Sequence, residues 1–113
     1  MDMERLVASH VMDVTGFKTV LEVPDLRPAE FVSVERVGGP AGPFSESPRF
    51  AVQSWAKTRK RAAEMDKAVR NALFSLMTLD CVFGVEVNSS NRWPDPQSGH
   101  ERYQTVVTVT AYE

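Results

Sequence analysis

The chain has 113 residues, 42% hydrophobic and 25% charged, with a formal net charge of -2. That length suits one domain, residues 1–113, able to bury about two thirds of its unfolded surface without a disulfide or metal. The composition excludes global disorder, and the charge offers no bulk attraction for nucleic acid or an anionic membrane.

Cys81 is the sole cysteine, so an intramolecular bridge and cysteine-based zinc motifs are excluded and a reducing compartment fits. Residues 1–10 are polar and amphipathic, without the apolar core of a signal peptide, and no apolar run reaches membrane-spanning length. A protein made and kept in a cytoplasm is expected.

Met3, Leu6, Val7, His10, Val11 and Val14 recur at three- and four-residue steps, which predicts a helix with one apolar stripe that Gly16 ends as a C-terminal cap. Residues 17–23 are β-rich and Pro24 stops them; residues 25–28 read as a turn before a second strand over residues 30–37. There Val32 and Val34 point one way, Ser33 and Glu35 the other. Gly38, Gly39, Pro40, Gly42, Pro43 and Pro48 resist helix and ladder alike, so residues 38–48 read as a long exposed loop with Phe44 near its middle.

Phe50, Val52, Ser54 and Ala56 alternate with Ala51, Gln53 and Trp55, a third strand whose first face is read as inward. From Thr58 the period changes, and Ala62, Met65, Val69, Ala72, Leu73, Leu76 and Leu79 form the stripe of a long core helix. Phe83, Val85 and Val87 mark a fourth strand. A second loop over about residues 89–101 leads to a fifth strand over residues 103–112, rich in Val and Thr. The expected fold is α+β, in the order α-β-β-β-α-β-β, with a mainly antiparallel sheet and both helices on one face. The fifth strand is apolar on both sides, which points to self-association.

Chemistry is sparse. His10 lies on the helical stripe and reads as structural, and Cys81 reads as a small buried hydrophobe. Asp95 and His100 share a loop, but two ligands without a third make a weak metal signal; a side-chain-to-backbone turn at Asp95 is the plainer reading. Gly38-Gly39 lacks the spacing and lysine of a phosphate-binding loop. No cofactor is expected. Lys57, Arg59, Lys60 and Arg61 crowd a helix N-terminus, where the dipole disfavours cations by about 0.3 kcal/mol or more each. They are either a solvated turn or a surface for acidic groups of a partner. Trp93, between Arg92 and Pro94, either folds back on the sheet edge or anchors a contact.

Glu22-Val-Pro24, Arg27-Pro-Ala-Glu-Phe-Val-x-Val-Glu-Arg-x-Gly-Gly39, Val52-Gln-x-Trp-Ala56, and Pro94-Asp-Pro-x-Ser-Gly99 followed by Arg102-Tyr-Gln104 together resemble a family of phage proteins. They are similar to the tail terminators of long, non-contractile-tailed phages and prophages of actinobacteria. The resemblance implies a non-catalytic virion subunit, assembled in the host cytoplasm, that closes into a ring, commonly a hexamer. Such a ring caps the head-proximal end of the tail tube, ends polymerisation of the tube protein and offers a surface to the head connector. Within that reading Arg36, Phe44, Arg59, Lys60 and Trp93 are expected at contacts between subunits or with partners, and neither a membrane nor sequence-specific nucleic acid is expected. The alternatives are a head-to-tail connector or neck adaptor, and a small cytoplasmic enzyme or nucleic-acid-binding module.

Overall fold

A computed structural model describes residues 2–39 and 45–112. In chain order it contains α1 (Met3–Thr15), β1 (Thr19–Val20), β2 (Phe31–Gly38), β3 (Ser45–Glu46), β4 (Arg49–Ala56), α2 (Arg59–Phe74), a 3-10 turn (Ser75–Thr78), β5 (Val82–Arg92) and β6 (Glu101–Tyr112). Asp2 caps α1 by accepting the Arg5 N–H at 3.1 Å, and Thr58 caps α2 by accepting that of Arg61 at 3.2 Å. Gly16, at φ 77°, closes α1 and donates its N–H to the Met12 carbonyl. Only glycine takes that backbone at little cost.

β6 organises the sheet. It pairs antiparallel with β4 on one side and with β5 on the other, and β2 pairs antiparallel with the far edge of β4. β3 prolongs the line of β4 along the end of β6, after a break at Ser47-Pro48 where the Val109 N–H donates to the Pro48 carbonyl at 3.0 Å. Twelve residues of β6 extend roughly 40 Å at about 3.3 Å each, close to the longest dimension of the molecule, 42 Å. The strand ends are therefore the ends of the molecule.

One sheet face carries both helices. Val32, Val34, Phe50, Val52, Ala56, Val107, Val109 and Ala111 meet Met3, Val7 and Val11 of α1, and Ala62, Met65, Val69, Ala72 and Leu73 of α2. The face of β4 read as inward is the one beneath the helices, and the α+β order stands, with the two-residue β3 added inside the segment expected to be a loop. α2 also brings a carboxylate into this layer. Asp66, 1% exposed, accepts hydrogen bonds from the Thr105 hydroxyl at 2.7 Å, the Ser90 hydroxyl at 2.8 Å and Arg70 Nε at 3.0 Å. It bolts the helix to the β5–β6 hairpin.

Three boundaries differ from the sequence reading. The strand expected over residues 17–23 shrinks to Thr19–Val20 and runs parallel to β2, because residues 21–30 carry the chain back to the end where β2 begins. The long helix tightens into a 3-10 turn after Phe74, with the Leu79 N–H bonded to the Leu76 carbonyl. The second loop is shorter than expected, since β5 continues through Arg92 against Tyr103 and leaves only residues 93–100 between the strands. Polar residues 88–92 follow the ladder of their partner strand against their own weak β propensity.

The Gly38-Gly39 pair sits at the base of the first loop. A Cβ on Gly39, at φ 104°, would come within 2.3 Å of the Ser47 carbonyl oxygen and 2.8 Å of the Arg49 nitrogen. Two backbone segments cross there too closely for a side chain.

Candidate functional site

Among the described residues the second sheet face carries no helix, and cross-strand register decides what it displays. Phe31, Trp55 and Arg102 form one row across β2, β4 and β6; Ser33, Gln53, Gln104 and Asn91 form the next. Phe31 and Trp55 stack with ring centroids 5.0 Å apart, and the His100 ring stands edge-on to both at 6.1 and 6.0 Å. Although they lie on the face without helices, Phe31 is 0% and Trp55 2% exposed. The segments that precede β2 and join β5 to β6 cover them.

Arginine completes the cover. Arg102 lies between two indoles, 4.7 Å from the Trp55 centroid and 4.6 Å from that of Trp93, with its Nε donating to the Trp93 carbonyl at 2.8 Å. Arg27 lies over the same Trp55 ring at 5.7 Å. Its Nε is buried and has no hydrogen-bond acceptor among the described residues. Burial lowers Arg102 from the ordinary arginine range, Asp95 opposes that, and neighbouring Arg27 adds to it. Among the described residues neither guanidinium forms an ion pair.

The loop over residues 93–100 is held by its own polar groups. The Asp95 carboxylate accepts from the Ser98 hydroxyl at 2.6 Å and the Gln97 N–H at 3.3 Å, the side-chain-to-backbone turn expected from the sequence. These two bonds hold its carboxyl below the ordinary range, the Ser98 bond most strongly; burial opposes them, and Arg102 and Arg27 add to the lowering. His100 Nε2 lies 2.9 Å from the Pro28 carbonyl, which can only accept, so this nitrogen carries a hydrogen. That bond ties the loop to the segment before β2. Next to this cluster Trp55 Nε1 donates to Ser33 Oγ at 3.1 Å, Ser33 Oγ to Gln53 Oε1 at 3.3 Å, and Gln53 Nε2 to Gln104 Oε1 at 2.8 Å. The amides are fixed across three strands.

Of the residues expected at contacts, three lie at this end. Trp93 is 48% exposed while its ring covers Arg102, and Arg59 and Lys60 are exposed in the first turn of α2. Their neighbours are neutralised, Arg61 by Glu30 at 2.9 Å and Arg92 by Glu101 at 2.7 Å. Arg36 stands apart, five residues along β2 from Phe31 and so roughly 17 Å away, with its backbone N–H donated to the Glu4 carboxylate. Phe44 lies outside the described residues.

Arg27, Trp55, Arg102 and His100 were not expected at a site. The signal was nevertheless in the sequence, because Arg27 and Phe31, Gln53 and Trp55, and Arg102 and Gln104 belong to three of the separated segments that carry the family resemblance. The fold gathers them on one end of one face.

No family model and no curated protein matches the chain. The fold is similar to that of a chain in the virion of a native gene transfer agent particle, with a TM-score of 0.69 over 95% of this chain and 92% of that one, at 14% identity.

Proposed function

We propose that this chain is a virion structural protein, a tail terminator whose ring, a homohexamer, caps the head-proximal end of a phage tail tube. The observation that carries the reading is a fold shared over nearly the full length of both chains with a component of a gene transfer agent virion. The convergence of the terminator-like segments at one end of the sheet supports it from this chain's own residues. In this role the protein does no chemistry. One ring surface matches the last ring of tube subunits and ends their addition; the other receives the head connector. Arg36, Phe44, Arg59, Lys60 and Trp93 serve contacts between subunits or with these partners, and the protein stays in the finished particle.

Electron microscopy of particles made without the gene tests this. A terminator's absence leaves tails of abnormal, excessive length, whereas a head-to-tail connector's absence leaves normal tails detached from heads. Intact, infectious particles would sink both readings.

A further inference from the structure

Two guanidiniums among the described residues share the Trp55 ring and form no ion pair. Arg102 has Trp55 and Trp93 on its two sides and spends Nε on the Trp93 carbonyl. Arg27 reaches the same indole with its Nε buried and unaccepted. The anion that acts on both is Asp95, and its carboxylate is already taken by Ser98 and Gln97. Two like charges within reach of one ring and of each other's field, each with N–H groups left to donate, are suited to receive an anion.

We infer that Arg27 and Arg102 receive the carboxylate of an acidic side chain on another protein. Among the described residues no pocket encloses a small acid at the two guanidiniums, so the carboxylate comes mounted on a larger surface. Exposed Trp93 supplies apolar contact beside it, and Lys57, Arg59 and Lys60 widen the positive field at the same end. Nucleic acid fits worse. The faces on which bases would stack, Phe31 and Trp55, are covered. A phosphate chain running along this face would leave the two arginines for the neutral Ser33, Gln53 and Gln104 row and then meet Glu35, before a row in which Arg49 and Glu86 offset each other. The inference gives a chemistry to the contact in the virion reading, and rests on that reading only for which protein bears the acid.

Trp93 and Trp55 are the chain's tryptophans and both touch Arg102, so their fluorescence reports the site directly. Titrating the intact chain with a hexaglutamate peptide at low salt should give a saturable change that weakens as salt is added. Arg27→Gln and Arg102→Gln should each weaken it about tenfold, as expected for loss of a charge-assisted hydrogen bond, and Lys60→Gln less than about twofold. Circular dichroism checks that each variant folds; Arg27→Gln decides alone if Arg102→Gln does not. No saturable change, equal loss with Lys60→Gln, or tighter binding of hexathymidylate overturns the inference. Because the titration uses the isolated chain, its failure leaves the tail-length result untouched.

Discussion

Two buried polar side chains on the helix-bearing side show how differently a residue can tolerate loss of water. Asp66 has a partner for each carboxylate oxygen and a guanidinium beside it. Ser54, 0% exposed in β4, has no partner for its hydroxyl among the described residues. Removing the Asp66 carboxylate would strand Thr105 in the core and release Arg70, since an abandoned partner pays the desolvation cost without compensation. Asp66→Ala should therefore lose about 1–3 kcal/mol in urea unfolding, most of it from the stranded Thr105 hydroxyl because Arg70 is 39% exposed and returns to water, while Ser54→Ala should be neutral or gain up to about 1 kcal/mol. A loss below about 1 kcal/mol at Asp66 would mean the network is ornamental. Asp66 falls on the same stripe as Ala62 and Val69, and a carboxylate there already implies an internal partner. Which hydroxyls serve it depends on strand register, which local spacing does not state.

Among the elements, those with a strong period were readable and those held by tertiary contact were not. The apolar stripes of α1 and α2, the inward face of β4 and the glycine cap all follow from residues close in sequence. β5 beyond Val87 does not; Ser89 through Arg92 are strand because Val106 through Tyr103 hold them there. The loop over residues 93–100 likewise looked detached because its anchors, His100 on Pro28 and Arg102 on Trp55, come from distant segments. Its stability carries a pH signature. The folded Asp95 carboxyl is depressed, so its contribution is complete above the unfolded value of about 3.9 and is lost as pH falls through the folded value. Tryptophan fluorescence should show the loop loosening below about pH 4. Glu101, lowered by Arg92, titrates in the same direction, so Asp95→Asn should remove only part of the transition. A profile unchanged by that substitution would assign the acid sensitivity elsewhere.

For the whole molecule, the long axis follows β6, and Arg27, Arg59, Lys60 and Arg102, which form no ion pair among the described residues, lie toward the end where that strand starts. A body polarised in this way is suited to contacts of fixed direction, as a ring of head-to-tail copies requires. Sedimentation at several concentrations should reveal a ring-sized species, or a monomer driven into one by tube protein; a dimer indifferent to both would count against the ring. The edge formed by β5 bears on the same question. Its register slips twice, between Val82 and Gly84 and between Val87 and Ser89. A copy laid against that edge would find its hydrogen-bonding groups out of step after a few residues, so backbone-to-backbone growth along β5 has no regular template to copy. Copies meeting at that edge would recognise one another through side chains, whose geometry can specify a closing angle, which would favour a finite particle over a fibre.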